Sequence, residues 1–237
     1  MDPRGGRQEI ASVQELVDTY VSDHDKVRVL EAGCGSLSRF NFGERAYVIG
    51  IDISQEQLDK NTMLHEKILG DIETHDFPKA DFNAIVCWYV FEHLPHPDRA
   101  LMRFAAAVQS GGIVVLALPN LHSVKGLVTK YTPFWFHVWV RRHLLDRPLA
   151  GTPGHAPYPT FLPFTVAPER LMQRAHDLGL RTIYLGYFED AKQVTIRKKF
   201  GLVGRRWRVA QWLTSKLSGG RLQAAQTECV LVLSRSD

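Results

Sequence analysis

The stretch Val27-Arg28-Val29-Leu30-Glu31-Ala32-Gly33-Cys34-Gly35 constrains the fold more than any other part of the chain. A short, β-branched run ends in an acid and two spaced glycines. The run predicts a strand buried on both faces of a parallel sheet. The glycines predict a tight turn whose bare backbone lets a ligand approach closely. Further apolar runs follow at Ala46 to Asp52, Lys67 to Asp71, Phe82 to Trp88 and Ile113 to Leu118, the last turned in by Gly111-Gly112. Helical spacing separates them. A first helix is expected from Ser12 to Val21, with Ser12 and Glu15 as a capping box. Ser54 and Gln57 predict a second box, opening a helix to about Leu64. Pro97 to Val108 places Leu101, Phe104, Ala105 and Val108 on one face. Asp23-His24-Asp25 reads as a polar turn.

Strand and helix in alternation predict an α/β, Rossmann-like, doubly wound and mostly parallel seven-stranded sheet. Ala167-Pro168-Glu169 opens a further helix, stopped by Gly179. Arg181 to Tyr187 is a sixth strand. Thr227 to Leu233 is the last, expected to be antiparallel and beside the sixth. With 237 residues, 45% of them hydrophobic and 23% charged, the chain suits a single domain over residues 1–237 with two insertions. One, at about 120–163, is rich in proline, histidine and aromatics and reads as a cap over the cleft. The other, at about 191–226, is basic. A net charge of +4 is too mild to argue for nucleic acid. Three scattered cysteines argue against a disulfide scaffold and fit a reducing cytosol. Met1 to Gly6 lacks the apolar core of a signal peptide, and no run of about 18 apolar residues predicts a spanning helix. The expected location is therefore cytoplasmic, with a peripheral membrane contact open.

The glycine turn admits three readings: a plain turn, a dinucleotide site, or a site for S-adenosylmethionine (SAM). A dinucleotide fingerprint wants a third glycine where Ser38 stands. Glu31 would repel a pyrophosphate, but it suits a ligand carrying a sulfonium and an ammonium. Asp52 ends the second strand about 20 residues after the first glycine, as a ribose ligand does. Asp71 is placed to accept from an adenine amino group.

With these residues in view the chain resembles the class I SAM-dependent methyltransferases, in particular the type-11 and ubiquinone-biosynthesis-like small-molecule group. The pieces that match are Leu30 to Gly35, Gly50 to Ser54, Gly70-Asp71-Ile72, Phe91-Glu92-His93-Leu94 and Ser110-Gly111-Gly112. The resemblance implies that Glu31 and the backbone of Gly33, Cys34 and Gly35 hold the methionine end of SAM. Asp52 would hold the ribose, Ile53 would pack on adenine, and Asp71 and Ile72 would meet its edge. The backbone of Cys87 and Trp88 would face the sulfonium. S-adenosylhomocysteine (SAH) would be the product. Two departures stand out. Leu37 replaces a third glycine common in the family. Tyr89 occupies the first carboxylate position of a Glu-x-x-Glu-His pattern associated with a divalent metal, so no metal is expected.

Methyl transfer from a sulfonium gains mainly from alignment in a dry site. For a hydroxyl acceptor an imidazole base suits neutral pH. His93, on the rim after the fourth strand, is the first candidate, against a purely shaping role. His155, in the cap between glycine and proline turns, is the second. Tyr89 with Phe134, Trp135, His137 and Trp139 is expected to bury an aromatic or lipophilic acceptor. The same aromatic run could be a dimer face, an interfacial helix or an ordinary buried helix. Arg197-Lys198-Lys199 and Arg205-Arg206-Trp207-Arg208 read as a membrane-surface or anionic-partner contact, or as a solvated helix with a docked apolar face. O-methylation of a small molecule leads. An RNA or protein acceptor and a non-catalytic SAM-binding subunit are the alternatives, and nucleic acid as a partner is disfavoured.

Overall fold

The computed structural model describes residues 5–22, 25–152 and 155–236. Met1 to Arg4, and Asp23 and His24 of the expected polar turn, lie outside them. Seven strands form one sheet: β1 (Val27–Ala32), β2 (Ala46–Asp52), β3 (Glu66–Leu69), β4 (Phe82–Trp88), β5 (Val108–Pro119), β6 (Leu180–Phe188) and β7 (Glu228–Arg235). Their order is β3-β2-β1-β4-β5-β7-β6. Pairing is parallel from β3 through β5, and β7 runs antiparallel to both neighbours. The chain winds outward from β1 to β3, then returns to β4 on the other side. Ligand clefts form at such a reversal, here between the carboxyl ends of β1 and β4.

The strands alternate between two apolar layers because side chains switch faces at every residue. Val29, Val48, Val86, Val115 and Val232 face α1 (Gly5–Ser22), whose Val13, Val17 and Val21 recur every fourth residue. Leu30, Ile51, Ile85, Leu116 and Leu231 face the opposite layer. Leu101 and Phe104 of α3 (Pro97–Ala107) and Leu171 and Ala175 of α6 (Pro168–Asp177) fill that layer. Arg235 at the end of β7 donates from Nη1 to the carbonyls of Ala105 (3.1 Å) and Val108 (2.7 Å), which satisfies the carboxyl end of α3.

Several boundaries depart from the sequence reading. α1 begins at Gly5, so Ser12 lies inside the helix and is not its cap. α2 (Gln55–Lys60) is capped by Ser54 as expected but stops at Lys60, where Asn61 turns extended. β5 includes Gly111 and Gly112 within its length. The expected cap resolves into α4 (Val124–Tyr131) and α5 (Phe134–His143), and the basic insertion into α7 (Ala191–Lys199) and α8 (Gly204–Leu217). Arg197 is not a surface charge. It is 8% exposed, bonds Glu189 with Nε at 2.7 Å and Nη2 at 3.0 Å, and lies over Trp207. Among the described residues no helix is long and apolar enough to cross a membrane.

Phe104 is fully buried against Phe77 and Phe91. Phe104→Ala should destabilise the fold by about 3–5 kcal/mol in urea unfolding. Met102→Ala, on the exposed face of the same helix, should change it by less than about 0.5 kcal/mol. Equal effects would contradict this layer assignment.

Candidate active site

The turn after β1 is held to β2 by backbone donors. The N–H groups of Gly33 (2.8 Å) and Cys34 (3.2 Å) both reach the Ile51 carbonyl, and the Gly35 N–H reaches Asp52 Oδ2 at 2.9 Å. Gly33 has φ +69° and Gly35 φ +57°, a region that favours glycine. A Cβ at Gly33 would lie 2.4 Å from Val90, whereas one at Gly35 would meet nothing. Gly35 therefore faces open space beside the ends of β1 and β2.

Acids and apolar groups surround that space. Glu31 is 4% exposed and accepts from the Ser38 hydroxyl; burial pushes its carboxyl above the usual range. Asp52 accepts from Gly35 N–H with one oxygen and from Ser54 N–H (2.9 Å) with the other. Each carboxylate oxygen has two lone-pair sites, so both retain capacity for a ribose diol. Ile53 projects beside it, 78% exposed. Asp71 accepts from Glu73 N–H at 2.8 Å through Oδ1. Ile72 does not offer its side chain to a ligand, because that side chain is packed in the core; only its backbone can meet an adenine edge. Cys87 is likewise core, leaving its backbone. Trp88 packs edge-on to Phe40, and its Nε1 is buried with no partner among the described residues. Burial and the neighbouring Asp52 and Glu31 push the Cys34 thiol up to about 12, so it stays neutral. An open glycine, a diol-ready carboxylate, an exposed aliphatic and a buried acid fit SAM.

Past Trp88 the chain turns into a second compartment. Tyr89 has φ +58°, which costs a non-glycine residue about 1–2 kcal/mol. Its N–H on the Ala117 carbonyl (2.8 Å) holds it there. Strain of this kind gathers at functional sites. Tyr89, Glu92 and His93 line a cavity of about 820 Å³ together with residues of α4, α5, α7, α8 and the segment Ala156 to Thr160. Phe134, Phe136, Tyr158, Phe200 and Trp207 are its aromatic walls. Phe134 and His137 line it as the sequence suggests, but Trp135 and Trp139 do not and are exposed. His137 Nε2 is 3.2 Å from the Thr132 carbonyl, which ties α5 to the end of α4. His155 is exposed, with Nδ1 3.3 Å from Thr152 Oγ1, and is not brought together with His93 in the cavity lining.

His93 has the geometry of a base. Its Nδ1 lies 2.7 Å from the Pro159 carbonyl, which can only accept, so Nδ1 carries the proton and Nε2 the lone pair. Burial holds its basicity below the ordinary value, which keeps the ring neutral. Nε2 lies 3.9 Å from Glu92 Oε1. Glu92 is 5% exposed and its Oε2 has no partner among the described residues. Burial, reinforced by Glu228, pushes this carboxyl up to about 8. Its backbone carbonyl accepts from Phe161 and Leu162, which anchors the cap over the β4 end.

Sequence reasoning missed the charged floor of the cavity. Lys125 of α4 donates to Asp190 Oδ2 at 2.7 Å and to Glu228. Asp190 follows β6, and its acid at a strand's carboxyl end is the signal already used for the first three strands. Glu228 begins β7. It reaches the site because β7 is antiparallel and pairs Glu228 with Pro119 at the carboxyl end of β5. Among the described residues no group of three His, Cys, Asp or Glu side chains could hold a metal ion.

A family model described as a methyltransferase domain matches residues 6–183. The mitochondrial ubiquinone biosynthesis O-methyltransferase of Candida albicans is 29% identical over 144 residues, covering 54% of this chain and 43% of that protein. The phosphatidylethanolamine N-methyltransferase of Cereibacter sphaeroides is 32% identical over 102 residues, 38% of this chain and 49% of that protein. The chain spans less than half the length of these two relatives. The solved structure of Haemonchus contortus phosphoethanolamine N-methyltransferase 2 in complex with S-adenosyl-L-methionine aligns with a TM-score of 0.57 and 14% identity, over 95% of this chain and 53% of that one; the likeness is one of fold.

Glu92 binds its proton more tightly in the folded chain than in the unfolded one, so on its account stability falls as pH rises through about 8. Glu92→Gln removes that slope. Urea unfolding from pH about 5 to about 9 should show the variant gaining stability relative to the parent as pH rises. A difference independent of pH would contradict the buried, proton-holding carboxyl.

Proposed function

This chain belongs to the methyltransferase-domain family, and from that premise we propose that it transfers the methyl group of SAM to a hydroxyl of a small aromatic or lipophilic acceptor. One observation carries the reading: the aromatic-walled cavity and the open glycine turn meet at a single segment. Val90 packs on Gly33, and its neighbours Tyr89, Glu92 and His93 line the cavity. An acceptor in the cavity would lie on one side of this segment and SAM on the other. The two insertions build that cavity, which supports reading them as parts of one methyltransferase domain.

SAM supplies an electrophilic methyl on a sulfonium. Glu31 and the Gly33 to Gly35 backbone would receive its ammonium and methionine end, and Asp52 its ribose diol. Ile53, Asp71 and the Ile72 backbone would receive the adenine, with the Cys87-Trp88 backbone alongside the sulfonium. His93 Nε2 would take the hydroxyl proton as the acceptor oxygen bonds to the methyl carbon and the carbon–sulfur bond breaks, leaving SAH. Tyr89, Phe134 and Phe136 would exclude water and align the acceptor. Trp135, Trp139 and His155, which lie outside the cavity lining, have no part in this. The charged floor suits an acceptor with a polar group as well as an apolar body.

Two tests separate cofactor from chemistry. Asp52→Ala should weaken SAH binding by calorimetry about tenfold or more while the circular dichroism spectrum is unchanged; parental affinity would remove the ribose assignment. With methyl-labelled SAM and a panel of phenols, lipophilic alcohols and amines, label should appear as a methyl ether. His93→Ala should lower kcat about a hundredfold or more with SAH affinity retained. Label only on amines, or an unchanged kcat, would contradict this reading.

A further inference from the structure

The four helices around the cavity, α4, α5, α7 and α8, contain twelve lysines and arginines and no aspartate or glutamate. α8 is also turned the wrong way for a helix packed on a water-soluble surface. Its inward face holds Trp207, Ala210, Gln211 and Thr214, with Trp207 and Thr214 lining the cavity. Its outward face holds Val209, Trp212, Leu213 and Leu217, at helical spacing, with Trp212 57% and Leu217 85% exposed. A helix of this kind normally buries its large apolar residues and wets its small polar ones. Arg205, Arg206 and Arg208 are exposed, and none forms an ion pair among the described residues.

We propose that the outward face of α8 docks on an anionic lipid bilayer, its apolar stripe inserted at the headgroup boundary and its arginines on the lipid phosphates. Charge selects this occupant. A second copy packing α8 on α8 would bring arginines together with no carboxylate on the helix to pair them. A nucleic acid would engage the arginines but leave the aliphatic stripe in water, whereas a bilayer interface accepts both. Exposed Trp135 and Trp139 of α5, with Arg142 and His143 in its last turn, repeat the pattern on another wall of the same cavity. The membrane face and the cavity lining are thus two sides of the same helices. If the methyl-transfer reading holds, this face sets the cavity against the phase in which a lipophilic acceptor is concentrated.

The test is cosedimentation of the full chain with vesicles of phosphatidylcholine alone and of phosphatidylcholine with phosphatidylglycerol. The parent should pellet with the anionic vesicles and stay in solution with the neutral ones. Trp212→Ser with Leu217→Ser, which leaves the charge unchanged, should lower the partition coefficient about tenfold or more. Arg205→Glu with Arg208→Glu should abolish pelleting. SAH titration of the same samples shows that each variant is folded, and it reads the cofactor site independently of the membrane. The proposal is overturned if the parent does not pellet with anionic vesicles, or if the Trp212/Leu217 variant pellets as the parent does. A dimer by light scattering that the same variant dissociates would assign the face to a second copy, and binding to single-stranded RNA in place of vesicles would assign it to nucleic acid; either overturns the proposal.

Discussion

Three backbone N–H groups hold the turn after β1 against the end of β2, and the rest of the site depends on them. Gly33 and Cys34 share the Ile51 carbonyl, and Gly35 bonds Asp52. Positive φ at both glycines folds the chain back sharply enough for this. The bond to Asp52 places a β2 carboxylate beside a β1 turn, so a ligand's hydroxyl pair and its charged tail can be met from adjacent strands. Gly33 also admits the Val90 side chain, which brings the β4 end against the same turn. Without a residue lacking Cβ at that position, the two compartments could not abut.

The second compartment rests on a different interaction. Lys125, Asp190 and Glu228 come from α4, the end of β6 and the start of β7, and their ion pairs tie the cap to the two strand ends that flank the basic insertion. Burying such charges is costly unless each is paired. Lys125 pairs both acids, while Glu92 nearby escapes the cost by holding its proton, its carboxyl raised to about 8. The floor of the cavity is therefore polar beneath aromatic walls. His93, neutral and with its tautomer set by the Pro159 carbonyl, lines the same cavity.

All seven strands and the reversed last strand were legible in the sequence. Strands buried on both faces read as unbroken apolar runs, and Glu31, Asp52 and Asp71 mark carboxyl ends by position alone. The cap was less legible. Its prolines and aromatics mask the periodicity of α4 and α5, and periodicity does not tell which face of α5 turns inward; Trp135 and Trp139 were expected in the cavity and lie outside it. Ile72 follows Asp71, the acid expected on the adenine side, yet its side chain completes the core. The pairing of Lys125 with residues 65 and 103 positions away leaves no local signature. Asp190 and Glu228 become visible only once the sheet order is known.

The most direct measurement is a calorimetric titration of the full chain with SAH and with SAM, with NADH as control. The account predicts that SAH and SAM both bind at one site per chain and that NADH does not. Binding of NADH, or of none of the three, would contradict it, because Glu31 beside an open glycine turn would then have no sulfonium-bearing ligand to serve.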